Sequence, residues 1–265
     1  MLSIKEIFNK EIVYKINNMD KICIQKNIVY KSVGKKEMLM DLYTPFINKK
    51  LPVVILIHGE ASSVNFKESG QHISYGKLIA ASGLNAVTFN HRVLSDGDNI
   101  KEVNKDIEEL IKYLIENADR LNIDKDRIAI WCFSSGVPFG LYAGMNNNIE
   151  SIKAIIAYYG FGDFKAVGKL LEIKIEEEDI EKYSPINLID ENSNRVPPLF
   201  IARAGLYNPI VNESIDNFIT KGLKHNLNFE IYNHYTGGYA FDLFNDEERS
   251  YEIISESLNF LRKHL

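Results

Sequence analysis

Two cysteines in 265 residues, Cys23 and Cys132, give no disulfide framework, and no cysteine or histidine spacing matches a metal site. Lysine and arginine nowhere gather into a basic block, and the net charge is -5. A nucleic-acid footprint needs cations clustered on one face, so no nucleic-acid partner is expected. Long apolar runs are missing too. Pro52–Ile57 is far shorter than the ~20 residues that a helix needs to cross a bilayer. Met1–Phe8 mixes charges among its apolar residues and lacks the uninterrupted core of a signal peptide. These absences point to a soluble, cytoplasmic protein with no membrane partner. There is also no internal repeat or linker, so residues 1–265 read as one domain.

What is present is an ordinary globular composition, 45% hydrophobic, in a chain long enough to bury a sizeable core. Short β-rich runs alternate with longer helical patterns, the signature of a mostly parallel sheet flanked by helices. An amphipathic start at about 3–16 precedes two antiparallel strands, Asn27–Val33 and Met38–Tyr43. Buried strands are expected at Val53–Ile57, Asn85–Phe89, Ala154–Tyr159, Leu199–Ala202 and Asn228–Tyr232, with a helix over Gln71–Ser82 that stops at Gly83. Ile100, Val103, Ile107, Leu110, Ile111, Leu114, Ala118 and Leu121 recur in steps of three and four, which marks one helical face. The last helix has an acidic start and a basic end, as the helix dipole favours. Between Phe161 and Pro197 the chain departs from this rhythm for longer than a connection requires. That segment, about 161–197, reads as a small helical cap over the carboxyl ends of the strands, or else as a surface excursion with a solvated acidic face.

The stretch Ile128-Ala129-Ile130-Trp131-Cys132-Phe133-Ser134-Ser135-Gly136 is a strand running into a serine, a small residue and a glycine. Such a strand–turn–helix presents a serine hydroxyl at the top of a parallel sheet in Gly-x-Ser-x-Gly hydrolases. Cys132 replaces the first glycine and reads as a small buried residue rather than a nucleophile. Serine needs a base within hydrogen-bond reach and a third group to orient that base. It also needs two backbone N–H groups aimed at the developing oxyanion. Ser135 supplies one of them, and the loop His58-Gly59-Glu60-Ala61 supplies the other, with Glu60 as the donor. The Glu60 carboxylate opposes an oxyanion unless it turns away, and His58 reads as a structural histidine bonded to its own loop.

With these segments come Asn90-His91-Arg92, Ser184-Pro185, Pro197–Gly205 and Gly237-Gly238-Tyr239-Ala240-Phe241-Asp242. In this order and spacing the chain, from Asn27 to Leu265, resembles the α/β-hydrolase superfamily. It is most similar to the dienelactone-hydrolase-like and small carboxylesterase members. The resemblance implies an α/β-hydrolase fold with Ser134 at the nucleophile position. It further implies an aspartate two or three residues after Gly205 and a histidine in Gly-His-x-Phe. Here Tyr207 and Asn208 hold the acid positions and Tyr239 holds the histidine position. With an unperturbed pKa of about 10, tyrosine is a poor base at neutral pH.

His234, five residues before Tyr239, is a candidate relocated base, and Asp163 a candidate relocated acid. Asp216 and Glu213 read as solvated helix residues, His225 as a helix end, and His72 and His91 precede the elbow. The expectation is therefore an α/β-hydrolase-fold protein with a degenerate triad, weak or no hydrolase activity, and a pocket for a small ester-like ligand. The alternative is an active serine carboxylesterase that draws on a relocated base such as His234. No cofactor or metal is expected.

Overall fold

In a computed structural model the alternating runs become eight strands in one sheet, ordered β1-β2-β4-β3-β5-β6-β7-β8. The structure describes residues 4–47, 49–60, 65–146, 149–192 and 195–265. The chain enters through α1 (Ile4–Asn9) and the antiparallel pair β1 (Ile22–Val33) and β2 (Lys36–Pro45). It continues through β3 (Leu51–Ile57), α2 (Gly70–Ala81), β4 (Asn85–Phe89), α3 (Ile100–Glu116), α4 (Ala118–Leu121) and β5 (Ile123–Phe133). Then come α5 (Val137–Met145), β6 (Ile152–Tyr158), α6 (Phe164–Leu171), α7 (Glu177–Tyr183) and α8 (Pro185–Asn192). The chain closes with β7 (Leu199–Ala204), α9 (Pro209–Lys224), β8 (Phe229–His234), α10 (Phe241–Phe244) and α11 (Glu248–His264). From β4 across to β8 every pairing is parallel.

Strand alternation sends successive side chains to opposite faces, so a strand covered on both sides reads as a continuous apolar run. Ile128, Ile130 and Cys132 of β5 enter the core shared with α3, α5 and α9, whereas Ala129, Trp131 and Phe133 enter the core shared with α2 and α11. The same alternation divides β3, β6 and β7. Cys132 is buried against α5: a Cβ added at Gly140 would sit 2.7 Å from its Sγ. Burial pushes its thiol pKa up, so it is held as an inert thiol.

Three segments differ from the sequence expectation. The amphipathic start at about 3–16 is helical only over Ile4–Asn9. Beyond it the backbone is committed elsewhere, with Ile12 N–H donating to Ser74 Oγ and Val13 N–H to the Asp242 carbonyl. The periodic run over 100–121 breaks at Asn117, so Ala118 and Leu121 belong to a separate short helix. His234 is the last residue of β8 rather than part of the loop beyond it. The 161–197 segment, of which residues 193–194 lie outside the described residues, forms α6, α7 and α8. These pack on α9, on α3, and on α5 and α9 respectively.

Asn90-His91-Arg92, just past β4, braces the strand ends. Asp106 of α3 has no exposed side-chain surface, and Arg92 meets it through Nη2 (2.8 Å), Nε (3.0 Å) and the backbone N–H (2.9 Å). Burial pushes the Asp106 pKa upward, but the hydrogen bonds from Arg92 and Lys31 outweigh it and the net displacement is downward. A depressed carboxylate stabilises the fold above its unfolded pKa, and that contribution fades as pH falls through the folded value. Arg92→Met leaves the buried Asp106 carboxylate with Lys31 as its remaining cation and is expected to cost about 1–3 kcal/mol at pH 7 in urea unfolding. The deficit should shrink below pH 4, where protonation relieves the under-paired carboxylate; a deficit independent of pH would contradict this account.

Candidate active site

β5 ends at Phe133, and Ser134 follows in the left-handed region with φ 55° before a short 3-10 turn leads into α5. A non-glycine residue held there signals a turn over-determined by its surroundings. The surroundings are tight: a Cβ at Gly136 would fall 2.2 Å from the His58 carbonyl oxygen, so only glycine fits. This crossing of β5 past the end of β3 leaves Ser134 9% exposed at the carboxyl edge of the sheet.

The side chain of Tyr239 lies close enough to Ser134 for the serine to influence its ionisation. Tyr239 is 37% exposed as a whole residue, yet its ring leans on Tyr207 (centroids 5.0 Å) and Tyr159 (5.5 Å). Desolvation among these rings raises its pKa, and the nearby Ser134 offsets that only in part. At neutral pH Tyr239 therefore keeps its proton and is a poor acceptor for that of Ser134.

Beneath the tyrosines lies a carboxylate to which sequence reasoning gave no role. Asp242, fully buried at the start of α10, accepts from Gln71 Nε2 at 2.8 Å. Gln71 also donates to the Tyr159 hydroxyl at 2.7 Å, and the nearby Asp242 carboxylate helps raise the Tyr159 pKa. Tyr75 approaches from α2, but its hydroxyl and Asp242 Oδ1 lack a partner at bonding distance. Burial drives the Asp242 pKa up to about 6 against these hydrogen bonds. The sequence signal was one acidic residue inside the apolar run Tyr239-Ala240-Phe241-Asp242-Leu243-Phe244.

The Glu60 N–H, the expected oxyanion donor, donates to Ser135 Oγ at 2.8 Å. Its side chain turns away, not to solvent but to Ser95, whose N–H and hydroxyl lie 3.1 and 3.2 Å from Glu60 Oε2. Burial raises its pKa, and hydrogen bonds from Ser95 and Leu94 oppose the rise. Ala61 of the same loop lies outside the described residues. His58 is bonded to its own loop, Nδ1 to the Gly59 carbonyl at 2.7 Å, and stacks on His91 with ring centroids 3.7 Å apart. Burial lowers the pKa of His58, His91 and His72, the last to about 3, so all three are neutral at pH 7.

The structure does not bring the two relocated candidates to the serine. His234 follows Tyr232 by two residues and so faces the α11 side of the sheet. Its Nε2 lies 2.9 Å from Ser250 Oγ and 3.4 Å from Glu247 Oε1, and its Nδ1 3.5 Å from Thr236 Oγ1. Asp163 caps α6 through Ala166 N–H and accepts from the Ser214 hydroxyl. Asn208 caps α9 through Ile210 N–H. Among the described residues no histidine hydrogen-bonds to Ser134, and no group of His, Cys, Asp or Glu is arranged to hold a metal ion. Nor is any described helix long and apolar enough to cross a membrane.

A serine elbow at the carboxyl edge of this eight-stranded, mostly parallel sheet defines a member of the α/β-hydrolase superfamily. Within it the chain belongs to the BD-FAE family, whose model matches residues 40–215. No curated protein sequence matches it. Among solved structures it is similar to a truncated carbohydrate esterase from gut microbiota, with 20% identity over 96% of this chain and 98% of that one and a TM-score of 0.74. A thermophilic esterase from the planctomycete Thermogutta terrifontis shares 16% identity over 92% and 93% (TM-score 0.70). An acetyl ester-xyloside bifunctional hydrolase from Caldicellulosiruptor lactoaceticus shares 17% over 97% and 96% (TM-score 0.73). At these identities the likeness is one of fold.

Asp242 generates a prediction about stability. Its folded pKa lies above the unfolded value of about 3.9, so the native state binds the extra proton and loses stability as pH rises from about 4 to 6. Asp242→Asn removes that loss. It should gain about 1–3 kcal/mol in urea unfolding at pH 8 and nothing at pH 4. An equal effect at both pH values would show that the buried charge is not the cause.

Proposed function

We propose that this protein recognises small carboxylic esters and accepts the acyl group on Ser134, with weak hydrolytic turnover. One observation carries the reading: where the family resemblance implies a histidine the chain has Tyr239, packed against Tyr207 and Tyr159, and burial there keeps its phenol protonated. Attack by Ser134 forms an Oγ–C bond and expels the alkoxide, while the serine proton must leave with the leaving group or solvent rather than reside on a base. Enzymes of this type without their base keep only the roughly 10³–10⁴-fold acceleration due to the oxyanion hole and binding. Deacylation is hindered further, because water must be activated in the same place.

Membership of the BD-FAE family and the esterase neighbours favour a second reading, an efficient serine carboxylesterase. That reading requires a base, and His234 would have to leave Ser250 to become one.

Steady-state and burst hydrolysis of p-nitrophenyl acetate separates the two. The first reading expects slow turnover that is lost in Ser134→Ala, unchanged in His234→Asn, and raised at least tenfold in Tyr239→His. Rapid wild-type turnover that collapses in His234→Asn would establish the second reading. Turnover that persists in Ser134→Ala would overturn both.

A further inference from the structure

We propose that the Ser135 hydroxyl is a built-in occupant of the oxyanion hole, holding the Glu60 N–H until an ester carbonyl displaces it. The proposal rests on the reading of Ser134 as the acyl-accepting serine. An oxyanion hole works by presenting N–H groups that meet the developing charge without reorganisation. Here the donor from the loop after β3 is already committed, since Glu60 N–H donates to Ser135 Oγ at 2.8 Å.

The contact is not a loose surface bond. Ser135 is 5% exposed, and the loop and the elbow touch closely. A Cβ placed on Gly59 would lie 3.1 Å from Ser134 Cβ and 3.2 Å from Ser135 Oγ. Nor does the Glu60 carboxylate compete for the space, because Ser95 holds it on the other side of its own backbone. Among the described residues, the group on the donor is thus the side chain of the residue immediately after the nucleophile.

A neutral hydroxyl is a weaker acceptor than an oxyanion, so charge developing on a bound carbonyl favours the exchange. The displacement needs one staggered rotation about χ1 of Ser135, with the backbone N–H of Ser135 left in place as the second donor. Each acylation nevertheless forfeits the hydrogen bond it breaks. Ser135 thereby damps the reactivity of Ser134 from a position that makes no bond to substrate in the resting state. A hydroxyl that instead stayed and donated to the oxyanion would act in the opposite direction.

The test is the second-order rate of fluorophosphonate labelling of Ser134 in the wild type, Ser135→Ala and Ser135→Gly, with Ser134→Ala as the control. Hydrogen exchange of the Glu60 amide is followed in parallel. The proposal expects labelling about two- to tenfold faster without the hydroxyl, the factor carried by one neutral hydrogen bond. It also expects faster exchange at Glu60, a readout that a general loosening of the fold would spread over many amides. Equal or slower labelling in both variants overturns the occupant while leaving the Ser134 reading intact. If no form shows labelling that depends on Ser134, the nucleophile reading falls and the occupant falls with it.

Discussion

The close passage of β5 across the end of β3 is the constraint on which the rest of the site depends. Ile57 pairs with Cys132, and immediately beyond that pair both chains turn within van der Waals contact. Ser134 takes a left-handed backbone because Gly136 must slide past the His58 carbonyl. The same contact sets the Glu60 N–H against Ser135 and places the serine hydroxyl at the carboxyl edge of the sheet. Much of the nearby polar structure keeps these two strand ends in register. Arg92 and Lys31 pin α3 through Asp106, His58 stacks on His91, and buried Lys67 ties the turn after β3 to Asp41 and Asn27.

Rigidity there contrasts with an electrically quiet interior on the other side of the serine. Tyr239, Tyr159 and Tyr207 keep their protons because burial disfavours the phenolates. His58, His72 and His91 stay neutral for the same reason applied to cations. Asp242 is the exception, and its charge is directed into Gln71 and Tyr159 rather than toward the serine. It makes Tyr239 harder to ionise and so reinforces its role as a neutral partner.

The parts of this arrangement that sequence could reveal are those encoded by local pattern. Apolar runs located the strands, because both faces of the sheet are covered. The sharp end of β5 followed by Ser134-Ser135-Gly136 located the elbow. The family resemblance alone marks 207, 208 and 239 as departures from a pattern. What sequence could not reveal were the long-range choices between equivalent polar partners. The direction of His234 follows from its parity with Tyr232 in β8, a register that one added residue would reverse. The N-terminal segment looked amphipathic, but Ser74 and the Asp242 carbonyl claim the backbone N–H groups of Ile12 and Val13, and the helix stops at Asn9. The convergence of Gln71, Tyr75, Tyr159 and Asp242 joins α2, β6 and α10, which no local spacing records.

On the reading proposed above, tyrosine at 239 and Tyr207-Asn208 where the family resemblance implies a histidine and an aspartate form a single physical change. An aspartate after β7 is useful because it orients an imidazole and stabilises the imidazolium formed when the serine proton moves. With a phenol at that place no cation forms, so the same aspartate would be a carboxylate pressed against neutral, desolvated rings. Such an unpaired charge costs several kcal/mol or takes up a proton instead. The residues found there follow from this. Tyr207 uses its position to pack against Tyr239, and Asn208 uses its side-chain oxygen to cap α9. Restoring histidine alone would therefore leave the imidazole without an anion and with Tyr207 against its edge, so recovery of full activity needs the carboxylate restored with it.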